Sequence, residues 1–301
     1  KGIFMYNYSN TSNTISSTSG DISMNTDTAY ISSASTFRSS GILSIFPYTQ
    51  SSTIGIAGAT GTLALSATNF STNFIDGFSS IVIGRTDGTG KISSNALTLS
   101  TPLTLQNISG GIDVNGALNA DLIRLSSDNI NINGSLTTTS DSNVYLTSTG
   151  NVTQSEAISS TGLALFGTGD FDLTNTSNKI TRIAGGTNNV KLGTVSIVDS
   201  IGGLEIGSVN PDGINSDGEV YIATLSGDVT ISQDISTTST SADAIKILAD
   251  ADAVAGSVGD GNIIISGTPT LTTGVGGIAK LYSGIDSSST GLTALVGNEN
   301  T

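Results

Sequence analysis

The chain contains no cysteine, no histidine and no tryptophan. Without histidine, neither a Ser/His/Asp nor a Cys/His nucleophilic site can be assembled, and imidazole is excluded as a metal ligand. Without cysteine there are no disulfides, no thiolate metal sites and no thiol redox chemistry. Aromatic residues are only 5% of the sequence, so few large side chains exist to fill a wide interior. Basic residues are also scarce: 10 Lys and Arg against 24 Asp and Glu give a net charge of −14. That sign argues against nucleic-acid partners, because a phosphate backbone is bound by releasing its counterions to cationic side chains. An anionic membrane surface would repel the chain. No apolar run approaches the ~18 residues of a membrane span. The opening Lys1-Gly2-Ile3-Phe4-Met5-Tyr6 lacks the basic region and apolar stretch of a signal peptide. A start without an initiator Met leads us to expect a segment of a longer chain.

What is present is a surplus of small polar residues. Ser, Thr, Asn and Gly make up half of the 301 residues. Such a composition borders on that of disordered chains, but the 36% apolar fraction is rich in Ile, Leu, Val and Ala spread over the whole length. Disordered segments lack those residues. The chain therefore folds, around a narrow interior.

Short apolar alternation recurs from end to end. It appears as Leu63-x-Leu65, Ile81-x-Ile83, Leu97-x-Leu99, Leu103-x-Leu105, Ile112-x-Val114, Ile130-x-Ile132 and Val144-x-Leu146. It continues through Leu163-x-Leu165, Phe171-x-Leu173, Val190-x-Leu192, Val195-x-Ile197, Leu204-x-Ile206, Val220-x-Ile222, Val229-x-Ile231, Ile245-x-Ile247 and Ile263-x-Ile265. Period two predicts short strands with one buried face, and the intervening Gly, Asn, Asp, Ser and Thr predict turns. Helical signals are nearly absent. Ser241–Val254 is rich in helix formers, yet its centre alternates like its neighbours and is assigned as strand. Strands this short, recurring about every 16–22 positions, suit the coils of a parallel β-solenoid better than a sandwich. At about 20 residues per coil, the chain would form about 15 coils. The four prolines are isolated and no linker is visible, so 1–301 is read as one continuous rod, with 1–50 a less regular first part or cap.

Several stretches carry a resemblance. Ile54–Leu65 with Asp76–Ile92, and Gly162–Gly169 with Gly202–Gly207, Gly277–Gly284 and Ser289–Gly297, resemble the repetitive coils of very large bacterial exoproteins of the filamentous-haemagglutinin type, among them adhesins with MBG/YDG repeats. The resemblance implies a right-handed parallel β-helix, export across the outer membrane and a role in adhesion or surface fibres.

Candidate chemistry was weighed against that inert reading. Asn25-Thr26-Asp27 matches a triplet seen in polygalacturonases, but such enzymes add further paired carboxylates, a His and an Arg-x-Lys element, and this sequence has no Asp-Asp pair, no His and no Lys two residues after Arg124 or Arg182. Calcium is the stronger candidate. Asp212, Asp217 and Glu219, and Asp250, Asp252 and Asp260, place hard oxygen ligands in glycine-bearing turns, without an EF-hand or nonapeptide pattern. The glycine spacings Gly55…Gly58…Gly61 and Gly84…Gly88…Gly90 lack the helix and Lys-Ser/Thr ending of a phosphate loop. Phe4, Tyr6, Tyr8, Phe37, Phe46 and Tyr48 are expected to end or cap the core.

The expected function is therefore a non-catalytic structural segment of a secreted bacterial adhesin or extracellular fibre, with no resident cofactor. The alternatives are a calcium-dependent surface-layer or biofilm matrix protein, and a β-helix polysaccharide hydrolase or lyase. Expected partners are further coils of the same chain or end-to-end copies, because solenoid ends expose unpaired strand edges, together with host or neighbouring-cell glycans. The expected location is extracellular or at the bacterial cell surface.

Overall fold

A computed structural model of the chain describes residues 2–5, 14–75, 77–139, 141–201, 203–252, 261–284, 288–292 and 295. The fold is all-β, with parallel sheets stacked as a β-solenoid of about 11 turns and about 22 residues per turn. The chain divides into two compact units, Lys1–Ser142 and Asn143–Thr301. Among the described residues no helix is long and apolar enough to cross a membrane.

In the first unit, one sheet stacks the strands Ile54–Ile56, Ile92–Ser94, Ile112–Val114 and Ile130–Ile132 in parallel register. Ile54, Ile92, Ile112 and Ile130 thereby form a single buried column. A second face stacks Leu97, Leu118 and Leu136. A third runs through Ile22–Asn25, Ile42–Phe46, Ser80–Gly84, Leu103–Gln106 and Ile123–Ser127, burying Met24, Ile45, Ile83, Leu105 and Leu125 in one column. Branched and γ-branched side chains stack well on a pleated surface, and parallel in-register pairing places like on like.

The second unit repeats the scheme. Val152, Phe171, Val195, Val220, Ile245 and Ala279 share one column, and Leu204, Val229 and Ile263 another. A further short face stacks Ile214, Ile235 and Leu271.

The turn is longer than the 20 residues the alternation suggested, so there are about 11 coils rather than 15. Steps of 20 and 18 residues separate Ile92, Ile112 and Ile130, but 38 separate Ile54 from Ile92 and 34 separate Ile245 from Ala279. The 38-residue step contains two features that lengthen it. Leu63–Ala64 pairs with Ile54–Ile56, and the helical turn Asn69–Asn73 presents Phe70 and Phe74 four residues apart. Phe74 stacks edge-on against both Phe37 and Phe70, with ring centroids 5.5 Å apart in each pair. Asn69 accepts the Ser66 N–H at 2.7 Å to start this turn, and the buried Asn73 amide donates to the Ser32 and Ser35 carbonyls at 2.8 and 2.6 Å. Elsewhere Val190 is exposed and Leu192 makes only an isolated bridge to Ser216, so the expected strand there does not form. Ile245–Leu248 is a strand, as assigned.

Corners are closed by buried amides. Asn107 Nδ2 donates to the Gly90 and Gly111 carbonyls at 2.9 and 3.1 Å. Asn178 Nδ2 donates to the Leu173 and Val198 carbonyls at 3.1 and 2.9 Å, while its Oδ1 accepts the Ile158 N–H at 2.8 Å. These side chains satisfy backbone groups that a corner leaves out of the ladders.

Two outcomes test this packing. Ile263 is fully buried on Val229, whereas Ile265 is half-buried. Ile263→Asp is expected to cost several kcal/mol through an unpaired buried carboxylate, and Ile265→Asp clearly less; equal melting temperatures for the two would contradict the inward assignment. Ser94 sits in the column between Ile56 and Val114, and its Oγ has no hydrogen-bond partner among the described residues. Ser94→Ala is expected to raise stability by about 1 kcal/mol, read by chemical denaturation; a loss of stability would show that the hydroxyl is satisfied.

Candidate functional site

The acidic residues singled out as calcium ligands are not brought together. Asp212 is exposed and bridges Ser208 through its backbone. The Asp217 carboxylate accepts from Thr238 Oγ1 at 3.0 Å and lies 3.4 Å from Lys191 Nζ. Glu219 is exposed, and its carbonyl accepts the Val195 N–H. Asp250 adopts φ 63°, donates its N–H to Thr224 Oγ1 at 3.0 Å and accepts the Gly261 N–H at 3.1 Å. Asp252 is exposed, and Asp260 lies outside the described residues. Among the described residues no three acidic side chains converge on a metal position.

The polygalacturonase-like triplet is likewise divided among separate tasks. Thr26 is buried and donates to the Thr28 carbonyl at 2.6 Å. Asp27 fastens the next turn, accepting the Thr49 N–H at 2.8 Å, Thr49 Oγ1 at 2.9 Å and Ser52 Oγ at 3.0 Å. The Thr49 backbone bond, aided by the two hydroxyls, holds its carboxyl below the usual carboxylate range. Of the expected aromatic cap, Phe37 is buried, Phe46 is half-buried on the outer face and Tyr48 is exposed. Tyr6 and Tyr8, and the side chain of Phe4, lie outside the described residues.

Asn25 belongs to a different feature, a groove of about 380 Å³ on the outer face of the first unit's third sheet. Because Met24, Ile45, Ile83 and Leu105 point inward, the alternate positions point out. Parallel register then sets Asn25 beside Phe46, and Gly84 beside Gln106. Ser44 and Val82 occupy the row two residues earlier. Gly84 has φ 100°, and a Cβ there would collide with the Gln106 carbonyl, so this position requires glycine.

The wall is a tight turn over Arg85–Asp87. Arg85 Nε and Nη2 donate to the two Asp87 oxygens at 2.7 and 2.8 Å, and Nη1 donates to the Pro47 and Tyr48 carbonyls at 3.2 and 3.1 Å. Gln50 Nε2 donates to Asp87 Oδ2 at 2.7 Å. The Arg85 guanidinium, seconded by Gln50, holds the Asp87 carboxyl far below the usual carboxylate range. By contrast, the side chains of Asn25, Ser44 and Thr86 have no hydrogen-bond partner among the described residues, and Gln106 has only a 3.5 Å contact to the Gly84 carbonyl. The groove is therefore rigid in its charged wall and unsatisfied in its neutral polar groups. Sequence reasoning missed it, since only the stacking register shows which outward residues are neighbours.

The second unit carries two outer-face features. Tyr145 and Phe166 stack with centroids 6.3 Å apart beside Val209, which closes over Ala164 and Ala184. Lys246 Nζ lies 5.9 Å from the Tyr221 ring and 5.8 Å from the Tyr282 ring.

Comparison with known proteins finds no matching family model, no matching curated protein and no matching solved structure.

One buried titratable group stands apart. Asp199 is fully buried at the end of the strand Val195–Asp199, accepting the Ile180 N–H at 2.8 Å and the Ile201 N–H at 3.3 Å. Burial pushes its carboxyl up to about 6 against these two opposing bonds. A carboxyl raised in the folded state contributes stability that is complete at low pH and lost as pH rises through about 6. Asp199→Asn is therefore expected to gain on the native chain between pH 5 and pH 7.5, by on the order of 1 kcal/mol. Denaturation of both proteins at the two pH values checks this; a constant difference would refute the shift.

Proposed function

We propose that this chain is a non-catalytic structural segment of a secreted bacterial surface adhesin or extracellular fibre, supplying reach, rigidity and contact surface. The observation that carries the reading is the repeated parallel register. Turn after turn, the same aliphatic columns recur, and most of the described sequence is spent on that repeat.

The use of charge agrees. Lys91 reaches Asp113, Arg182 reaches Glu205 and Lys280 reaches Asp243, pairs 22, 23 and 37 residues apart in sequence. Each pair is exposed and adds little to stability, but it spends a scarce cation on a neighbouring turn rather than on a ligand. Absence of thiols, imidazoles and indoles gives a surface that resists oxidation, which suits a long-lived extracellular molecule. Beside the strands Leu271–Thr272 and Ala279–Tyr282, Val275 is 98% exposed, and Ile278 and Tyr282 are exposed as well. Apolar groups there favour a further coil of the same chain or a second copy as the adjoining partner. The resemblance to filamentous-haemagglutinin-type exoproteins points the same way.

Immunogold labelling of intact cells of the source organism tests the reading. Antibodies raised against the chain are expected to decorate the cell surface or material extending from it. Label found only after the cells are opened would overturn the proposal, as would polysaccharide turnover that a single Asp→Asn change abolishes.

A further inference from the structure

We infer that the groove bounded by the Arg85–Asp87 turn binds a neutral polysaccharide chain. The inference rests on the reading of this surface as a contact surface, and adds to it a place and a ligand class. Four side chains around the groove, those of Asn25, Ser44, Thr86 and Gln106, hold hydrogen-bonding capacity that the protein leaves almost unspent. Amides and hydroxyls donate and accept alike, which matches a ligand whose hydroxyls do the same. Phe46 offers an aromatic face on the same floor, beside Val82. Sugar rings present apolar C–H faces together with polar edges, so the mixed lining fits a hexose better than a purely apolar ligand.

Charge selects among sugars. Among the described residues Arg85 is the one cation lining the groove, and both oxygens of Asp87 already neutralise it in a bidentate pair. Asp27 stands close enough to raise the Arg85 pKa further, after the larger effect of Asp87. Among the described residues the local balance is therefore neutral to negative, and a uronate or sulfated chain would meet no unpaired cation among them. The pair also fixes the wall, because bidentate geometry and the two carbonyl contacts leave the guanidinium little freedom. A preformed wall reduces the ordering cost of binding. The volume of about 380 Å³ lies at the lower end of the ~300–1,000 Å³ range of ligand sites, suiting one or two sugar units of a chain that passes through.

Affinity electrophoresis of the full 301-residue chain in native gels tests this, with mixed-linkage β-glucan, mannan, galactan and soluble chitin derivatives as neutral polymers. Polygalacturonate and hyaluronate serve as acidic counterparts. At least one neutral polymer is expected to retard the chain and the acidic ones not. Phe46→Ala, Asn25→Ala and Gln106→Ala are each expected to weaken retardation about tenfold, the loss of one stacked ring or of one charge-neutral hydrogen-bonded contact of about 1.4 kcal/mol. Tyr221→Ala on the second unit should leave it unchanged. Asn25 is exposed and Gln106 half-buried, so those variants report on binding even if Phe46→Ala alters folding, which circular dichroism monitors. The inference is overturned if no neutral polymer retards the chain, if acidic polymers bind in preference, or if retardation survives both the Asn25 and Gln106 variants. Surface labelling of cells does not depend on this binding, so a failed groove and a failed fibre assignment give different results.

Discussion

Backbone hydrogen bonds between successive turns are the constraint on which the remaining architecture depends. A strand of three to five residues cannot satisfy its own amides and carbonyls, so each must pair with the strands one turn before and one turn after. That pairing is parallel and in register, and it stacks equivalent positions directly on one another at the strand spacing of about 4.8 Å. A column such as Ile54–Ile92–Ile112–Ile130 is the consequence. It also explains the composition. Aliphatic side chains stack at that spacing without a wide interior to fill, and large rings are few. Phe171 is accommodated between Val152 and Val195, but Phe37, Phe70 and Phe74 gather at one excursion, where the chain leaves the regular turn.

The same constraint makes corners the costly places. At each change of face the ladder is interrupted and backbone groups must find other partners. Asn107 and Asn178 meet that need from inside, each serving two carbonyls on different turns. Asp199 meets it with a carboxylate, which accepts two amides but is desolvated in doing so. An asparagine offers donor and acceptor together, and so suits a corner better than an acid. The buried Ser94, inside an aliphatic column, is a departure from that economy for which the structure shows no compensating bond.

Outside the core, register creates neighbours that sequence separates widely. Asn25, Phe46, Gly84 and Gln106 lie on four different strands of one sheet, yet share one surface row. The second unit places Tyr221, Lys246 and Tyr282 together in the same manner. With so few cations, each one's position matters. Lys91, Arg182, Lys191 and Lys280 reach carboxylates on adjoining turns, and Lys246 lies between two rings. Outer surface of this kind is where a solenoid acquires contacts without disturbing its interior, because outward side chains can vary freely while inward ones must fit their column.

The alternation alone determined that the chain is all-β, that strands are short and, Val190 and Ile265 apart, which of the alternating residues are buried. Ile81 and Ile83, Leu103 and Leu105, Val220 and Ile222 all face inward as their spacing required. Period two is a local property, fixed by the pleat of a single strand, and so is legible without knowing any partner. Turn length was less legible. The excursion between Ile54–Ile56 and Ser80–Gly84 is built from a short extra strand, whose Leu63-x-Leu65 alternation was legible, and a helical turn held by Ser66, Asn69 and Asn73, whose contacts leave no periodic trace. The candidate site was legible only in fragments. Asn25-Thr26-Asp27 and Asp217 stood out by residue type, but which of them would be spent on hydrogen bonds to other turns depended on partners more than 20 residues away, such as Thr49 for Asp27 and Thr238 for Asp217. The groove was not legible at all, because Phe46 and Gln106 become neighbours only when long-range backbone pairing sets the register, and that pairing is decided by the tertiary structure.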